Sequence, residues 1–267
     1  MKKLMLGLAV AAVGSAFAVE SSNIVGYNTI SCAANKYYML AVDFQSTGAS
    51  TKTMLLKDFL KGDYVGATTD TDCPEIQIWD PAAMGGLGGY THYYFWSASK
   101  PKGYSNFWAE SAAKSGWEAA QAITINCGQS VWFRSPTDCT ITVAGQVVAV
   151  DTTITTVAGK YNMIANPFPV ALKLNDDSVN WVEAGLVGAT VNTSCPEIQV
   201  WDPAAASGLG GYTHYFFWSE SKPKGYTNFW GATASKSNYD ADLAIPVGSG
   251  FWLKYSGESN LTFTFKR

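Results

Sequence analysis

The chain has 267 residues and a formal net charge of −3, with 15% charged and 14% aromatic residues. It has no run of basic residues, so the electrostatic footprint of a nucleic-acid-binding protein is missing and that class is excluded. The 25 glycines and the low charge content favour strands and turns over surface helices, which are normally rich in Glu, Lys and Arg.

The N-terminus has the features of a secretory signal peptide. Lys2 and Lys3 give a positively charged start, residues 4–13 form an apolar run, and residues 16–18 have the Ala-x-Ala spacing of a cleavage site. We therefore expect cleavage after residue 18 and a bacterial protein that is secreted, periplasmic or on the cell surface. No later apolar run approaches the ~20 residues of a transmembrane helix, so no membrane-spanning segment is expected after cleavage.

A block of 36 residues occurs twice in the chain. Residues 73–108 match residues 195–230 without a gap, and 30 of the 36 positions are identical. Weaker similarity continues on both sides of the block, so the mature chain is predicted to be two homologous units, each of normal domain size. The predicted division is a signal peptide at 1–18, a first repeat unit at 19–145 and a second repeat unit at 146–267.

The hydrophobic pattern predicts an all-β protein. Apolar and polar residues alternate in segments such as 139–143 and 261–265, as half-buried strands require. Two short segments are helical candidates. Residues 53–60 have apolar positions on one helical face, and residues 178–185 are the equivalent segment of the second unit. We expect two β-sandwich-like units in tandem, each with one short helical segment at most.

The repeated block contains an aromatic strand followed by an aromatic loop. In residues 90–96 strand alternation places Tyr90, His92 and Tyr94 on one face, and both faces are largely aromatic. Aromatic side chains bury about 150–250 Å² each, so a sandwich core is expected to hold most of them. The alternative is an exposed surface of Trp and Tyr that stacks on sugar rings or on an aromatic-rich protein partner.

The predicted ligand-binding residues are aromatic and amide side chains of the block. They come from its Trp-Asp strand end and from the loop after Lys-Pro-Lys-Gly, whose turn chemistry favours exposure. They are Trp79, Tyr104, Asn106 and Trp108 in the first unit and Trp201, Tyr226, Asn228 and Trp230 in the second. Burial of Trp108 and Trp230 would remove the basis for a binding face there.

Metal and catalytic sites are not expected. The only two histidines, His92 and His214, occupy equivalent positions, and one histidine per unit is a weak metal-ligand set, so neither a metal nor another cofactor is predicted. Glu75 and Asp80 lie about 16–17 Å apart at the usual rise of a strand, which is too far for a glycosidase carboxylate pair. No G-x-S-x-G elbow is present. We therefore expect a protein that is not an enzyme.

Five cysteines leave at least one thiol unpaired in a compartment that permits disulfides. Within the first unit, Cys32–Cys139 and Cys127–Cys139 are both open as pairings. Cys73 and Cys195 are equivalent and would pair only across a two-fold axis between the units. No C-x-x-C pair is present, which excludes the usual zinc and thioredoxin-type sites.

Each copy also shares a longer series of motifs. A strand ending Met-Leu/Ile-Ala is followed by Ile-Gln-Ile/Val-Trp-Asp, a Gly-Gly-Tyr strand, a Gly-x-Ser/Gly-Val/Phe-Trp strand and a final Thr-x-Thr strand. Over nearly the whole mature chain this series resembles the secreted tandem β-modules of bacterial cell-envelope proteins. The first copy departs from it at residues 41–44, which read Ala-Val-Asp-Phe where the second copy has Ala-Asn-Pro-Phe. The resemblance implies an all-β fold and export, and it implies no particular activity.

These observations predict an exported, non-catalytic binding protein. The expected ligand is a glycan or another cell-envelope polymer, held by the duplicated aromatic loops. The alternative is a structural or adhesive envelope protein that acts through protein–protein contacts, with self-association possible, and an extracellular hydrolase comes third.

Overall fold

The computed structural model describes residues 24–49, 51–98, 103–110, 122–220, 225–232 and 239–267. The predicted signal peptide and the Lys-Pro-Lys part of both loops, at 100–102 and 222–224, lie outside these residues. Within them the all-β prediction is confirmed.

Short antiparallel strands make up most of both units. Those of the first unit are β1 (Val25–Cys32), β2 (Tyr37–Ala41), β3 (Thr53–Leu55), β4 (Leu60–Gly62), β5 (Glu75–Asp80), β6 (Gly89–Trp96), β7 (Phe107–Glu110), β8 (Thr124–Asn126), β9 (Ser130–Arg134) and β10 (Cys139–Gln146). Those of the second unit are β11 (Thr152–Thr156), β12 (Tyr161–Ala165), β13 (Leu172–Lys173), β14 (Glu197–Asp202), β15 (Gly211–Trp218), β16 (Phe229–Gly231), β17 (Ala244–Ile245), β18 (Gly250–Lys254) and β19 (Leu261–Phe265).

The helices are single turns, and they differ in part from the prediction. They are α1 (Leu56–Phe59), α2 (Ala83–Gly86) and α3 (Ala205–Gly208), and 3-10 turns occur at Asp70–Asp72 and Asn192–Ser194. The helix expected over 53–60 shrinks to α1 because residues 53–55 pair with β8. Its counterpart at 178–185 forms turns, with no helix. None of the helices in the described ranges is long and apolar enough to cross a membrane.

The limit of one helical segment per unit is exceeded in the described part of the first unit, which contains both α1 and α2, whereas α3 has no second α-helix beside it in the described part of the second unit. Both α2 and α3 follow the Asp-Pro-Ala sequence, where proline ends the preceding strand because it cannot donate a ladder hydrogen bond. They are tight turns rather than regular helices, since Met84 and Ala206 adopt left-handed φ values of 52° and 50°. Sequence periodicity cannot detect such a turn, because it contains no repeating face.

Each unit contains a five-stranded antiparallel sheet with the same strand order. The order is β2-β9-β5-β6-β7 in the first unit and β12-β18-β14-β15-β16 in the second. A smaller sheet built on the terminal strands accompanies each, β1-β10-β4 in the first unit and β11-β19 in the second. The register is equivalent as well, with Gln77 opposite His92 and Gln199 opposite His214.

A hydrophobic core lies on the inner face of each five-stranded sheet. Because successive side chains of a strand point to opposite faces, Ile76 and Phe133 point into the core while Glu75 and Gln77 point outward. Each fully buried apolar side chain of this size stabilises the fold by about 1.5–3 kcal/mol. This burial fixes the register, since a shift by one residue would turn the inner set to solvent.

The two units contact one another in an approximately two-fold arrangement. The backbone N–H of Ala41 donates to the carbonyl oxygen of Gly248 at 2.9 Å, and that of Ala165 donates to the carbonyl oxygen of Gly128 at 2.7 Å. These two hydrogen bonds join equivalent positions with the units exchanged. The contact is therefore self-complementary, like the interface of a symmetric dimer.

Candidate binding surface

Trp79 and Trp201 lie in the contact between the units. The indole Nε1–H of Trp79 donates to the backbone oxygen of Tyr161 at 2.8 Å, and that of Trp201 donates to the backbone oxygen of Tyr37 at 2.7 Å. Each ring also packs edge-on against a tryptophan of the other unit, with centroids 5.4 and 5.6 Å apart. These half-buried rings belong to the interface, and a ligand-stacking role for them stays a prediction.

Trp108 and Trp230 are buried, with 2% and 0% of their surface exposed. Strand alternation explains this, because Trp108 follows Phe107 in β7 and points to the inner face of the sheet. There it packs against Phe95, with ring centroids 5.1 Å apart, and Trp230 packs in the same way against Phe217 at 5.0 Å. The prediction that these two tryptophans contact a ligand is therefore wrong.

The other predicted loop residues remain at least partly accessible. Asn106 and Asn228 are exposed and adopt left-handed φ values of 55° and 53°, which asparagine tolerates better than most residues. Tyr226 is 39% exposed and stacks on Tyr239 with a centroid distance of 3.9 Å. Tyr104 is half-buried against the cluster of Cys73, Trp96 and Phe107. A ligand role for these four residues stays a prediction.

The outer face of β6 and β15 carries a row of accessible rings. His92 and Tyr94 stand almost parallel, with an interplanar angle of 16° and centroids 6.4 Å apart. The equivalent His214 and Phe216 have an angle of 14° at the same distance. The histidine side chains are 42% and 45% exposed. These rings lie on the strand face that alternation in the sequence predicted. Of the aromatic side chains on this face of β6, only Trp96, at the end of the strand, is fully buried as the predicted core requires.

A glutamate with little exposure holds each histidine in position. The Glu75 Oε1 atom lies 2.6 Å from Nδ1 of His92, and its Oε2 atom lies 3.5 Å from Nε of Arg134. In the second unit, Oε1 of Glu197 lies 2.5 Å from Nδ1 of His214. Because the glutamate occupies Nδ1, Nε2 is the ring nitrogen that remains for a hydrogen bond to another molecule.

Tyr94 completes this arrangement in the first unit. Burial, and next the negative charge of Glu75, raise the pKa of the Tyr94 phenol, so its hydroxyl stays protonated and can donate to the carboxylate. The equivalent Phe216 has no hydroxyl. We name these residues the outer-face cluster: Glu75, His92, Tyr94 and Arg134 in the first unit, and Glu197, His214, Phe216 and Lys254 in the second.

Two concave surfaces lie near these residues. In the second unit a hollow of about 290 Å³ adjoins the outer-face cluster and is lined by Glu197, Phe216, Lys254 and the 3-10 turn at Asn192–Ser194. A wider cleft of about 870 Å³ lies between the units beside Trp79 and is lined by apolar, amide and hydroxyl side chains of both. The hollow places an aromatic ring, a carboxylate and a cation around one space.

Two geometric observations concern the acidic and histidine side chains. In the described ranges, no three His, Cys, Asp or Glu side chains lie close enough together to hold a metal ion. Glu75 and Asp80 occupy the two ends of the six-residue strand β5, and Glu75 is engaged by His92. Comparisons of the chain with protein-family models, curated proteins and solved structures found no match.

The sequence predicted which residues share the outer face of β6, but it did not predict the outer-face cluster. Alternation correctly groups Tyr90, His92 and Tyr94, yet the expectation of a thick aromatic core hid their exposure. The signal that points to Glu75 is the register of β5 and β6, which sets Glu75 opposite Tyr94. Arg134 lies opposite Glu75 on the other side, and this pairing with β9 has no local signal in the sequence.

Proposed function

We propose that the protein is an exported, non-catalytic protein that binds a polysaccharide through the outer-face cluster of each repeat unit. One observation carries this proposal. In both units an accessible, nearly parallel pair of rings stands beside a carboxylate that contacts the histidine of the pair, and in the first unit this carboxylate also lies near Arg134. The proposal keeps the predicted class of ligand and moves the main site from the loop tryptophans to the sheet face.

The chemistry of the cluster suits a sugar ring. Flat aromatic faces pack on the apolar face of a pyranose, and carboxylate and guanidinium groups make strong hydrogen bonds to hydroxyl groups. The mixture of ring surface and fixed polar groups is typical of ligand sites, where a few polar groups set the orientation. Two copies on one chain also favour a polymer, because the second site then binds at a high effective concentration.

The test is a pull-down on insoluble cellulose, chitin and peptidoglycan. The binding variant carries His92→Ala, Tyr94→Ala, His214→Ala and Phe216→Ala. The control carries Thr91→Ala and Thr213→Ala, which alter exposed residues of the same strands on the opposite face. We expect the binding variant to lose at least about tenfold in affinity, equivalent to 1.4 kcal/mol, and the control to bind like the wild type.

Two outcomes would refute the proposal. One is that the wild type binds none of the polymers, and the other is that the cluster variant binds as well as the control. A separate variant with Tyr104→Ala and Tyr226→Ala measures what the loops contribute. Restoring the cluster in one unit only should give intermediate retention, because avidity is then lost while one site remains.

A structural or adhesive role through protein contacts is the second candidate. The equivalent residues Leu87 and Leu209 are 79% and 81% exposed at the tips of α2 and α3. Apolar tips repeated on one molecule can join copies or partners through hydrophobic burial. Concentration-dependent light scattering that Leu87→Ser with Leu209→Ser abolishes, without polysaccharide binding, would favour this role over glycan binding.

A further inference from the structure

The first and last strands of the first unit bring two cysteines together. β1 and β10 pair over their whole length, and Cys32 lies directly opposite Cys139 at the end of the ladder. Residues opposite each other in an antiparallel pair have their Cα atoms about 4.5–5.5 Å apart and their side chains on the same face. A disulfide needs Cα atoms about 4.4–6.8 Å apart and Cβ vectors that converge. The register therefore satisfies the first requirement of a cross-strand bridge.

The two thiols share one environment. Cys32 is 3% and Cys139 is 6% exposed, and both belong to the core of the first unit. Each thiol also influences the pKa of the other, as expected for sulfur atoms that are neighbours on the same face of the ladder. In this structure both are free thiols.

The remaining cysteines are placed differently. The thiol of Cys127 donates to the carbonyl oxygen of Phe44 at 3.2 Å, and Cys127 packs in the core of the second unit, away from Cys139. Cys73 and Cys195 each donate to a carbonyl oxygen of their own unit at 3.5 Å. Of the pairings that the sequence left open, the structure favours only one.

We propose that Cys32 and Cys139 are a disulfide-forming pair that covalently joins the first and last strands of the first repeat unit. The oxidant is a disulfide, either a small molecule or a disulfide oxidoreductase. The thiolate of one cysteine attacks it, forming a mixed disulfide and releasing one thiol. The thiolate of the other cysteine then attacks the mixed disulfide and releases the second thiol. Both cysteines lose their protons, and two electrons pass to the oxidant.

The burial of the pair sets when this reaction occurs. Burial is the largest cause that raises the pKa of Cys32, to about 12, and it also raises the pKa of Cys139. The folded, reduced protein therefore holds almost no thiolate at neutral pH, and its exchange with disulfides is slow. The bridge forms readily only while β1 and β10 are accessible, that is, during folding.

The second unit supplies an internal control. The equivalent strands β11 and β19 pair in the same register, with Thr156 opposite Leu261 where the first unit has its cysteines. The Thr156 hydroxyl donates to the carbonyl oxygen of Leu261 at 3.2 Å. The same strand junction thus holds without sulfur, so a variant that copies these two residues into the first unit, Cys32→Thr with Cys139→Leu, is expected to fold.

The experiment refolds the mature protein with a mixture of oxidised and reduced glutathione, alkylates the remaining thiols and maps the peptides by mass spectrometry. We expect one linked peptide that joins Cys32 to Cys139, with the other three cysteines alkylated. The oxidised protein should melt about 5–10 °C above the same protein treated with dithiothreitol, because a bridge that closes a long loop restricts the unfolded chain. The Cys32→Thr, Cys139→Leu variant should lose this dependence on dithiothreitol, whereas Cys127→Ser should keep it.

Two results would overturn the proposal: five alkylated cysteines after oxidative refolding, or a linked peptide that involves a different pair. A second experiment tests whether the bridge forms during folding, by incubating folded, reduced protein with the same glutathione mixture. Oxidation there should be at least tenfold slower than during refolding, and equal rates would contradict formation during folding. Neither experiment involves a polysaccharide, so the outcome is independent of the proposed function.

Discussion

The two repeat units have five-stranded sheets of the same strand order, but the equivalent tryptophans Trp108 and Trp230 have different neighbours. In the first unit the ring of Trp108 packs against Tyr64, with ring centroids 5.7 Å apart. In the second unit Leu186 stands in the position of Tyr64, and Nε1 of Trp230 has no hydrogen-bond partner in the described part of the chain. The comparison shows that the flanking segments build each core independently, while the repeated block keeps its residues.

The contact between the units supplies a physical reason for the constancy of the block. A Cβ atom on Gly88 would lie 2.3 Å from the ring of Trp79, and one on Gly210 would lie 2.2 Å from the ring of Trp201. Each tryptophan therefore needs a glycine, with positive φ, from its own copy of the block. Because the contact is self-complementary, the same pair must be present on both sides.

The strongest test of this symmetry removes both interface rings. Trp79→Ala and Trp201→Ala should each lower the free energy of unfolding by about 2–3 kcal/mol, since each removes a half-buried ring and its hydrogen bond. The double variant should lose about 5 kcal/mol in urea unfolding. The control Trp79→Phe keeps a ring and should lose only about 1 kcal/mol. A large effect at one position and none at the other would contradict two-fold equivalence.

A second test uses a buried carboxylate that the second unit lacks. Asp43 is 1% exposed, and neither of its carboxylate oxygens has a hydrogen-bond partner elsewhere in the described chain. Burial raises the pKa of Asp43 from 3.8 to about 7. Between these values the folded protein binds more protons than the unfolded chain, so stability falls as the pH rises through this window. Pro167 occupies the equivalent position in the second unit.

Asp43→Asn should therefore stabilise the protein by about 2–4 kcal/mol at pH 8 and have little effect at pH 4. Urea unfolding at the two pH values measures the difference. The Asp58→Asn variant, which alters a carboxylate whose side chain is 46% exposed, serves as the control and should show no comparable dependence on pH. A gain from Asp43→Asn that is equal at both pH values would mean that proton binding at Asp43 is not the cause.

The smallest expected effect concerns the two core tryptophans. Trp230→Phe removes a buried indole N–H that has no hydrogen-bond partner in the described structure, so it should cost about 1 kcal/mol less than Trp108→Phe, which removes ring contacts with Tyr64. Paired urea unfolding curves provide the comparison. Equal losses would show that the unsatisfied N–H of Trp230 does not affect stability and that packing volume sets the cost at both positions.

Strand alternation in the sequence was sufficient to predict the all-β fold and to group the residues that share a face. It predicted that Tyr90, His92 and Tyr94 point the same way, because the side-chain period of a strand is two. It could not predict what covers that face. Trp79 and Tyr94 lie on the same outer face, yet one meets the other unit and the other lies beside solvent, and this depends on contacts distant in sequence.

The loop tryptophans show a second limit. The Lys-Pro-Lys-Gly turn indicated an exposed loop, but β7 begins at Phe107, so Trp108 is already inside the sheet. Boundaries of this kind are decided by pairing with β6, where Trp108 lies opposite Phe95. Local turn chemistry carries no information about that partner.

Near the approximate two-fold axis, the two units contribute side chains of different size to the interface at equivalent positions. Ser130 is fully buried opposite Gly250, and a Cβ atom on Gly250 would lie 2.3 Å from the Cβ atom of Ser130. Two separate identical chains would have to place the same residue on both sides, so two serines would collide and two glycines would leave a void. Covalent linkage of the halves permits one serine and one glycine to share the space. It also makes the pairing independent of protein concentration, which a dimer of this size would not be.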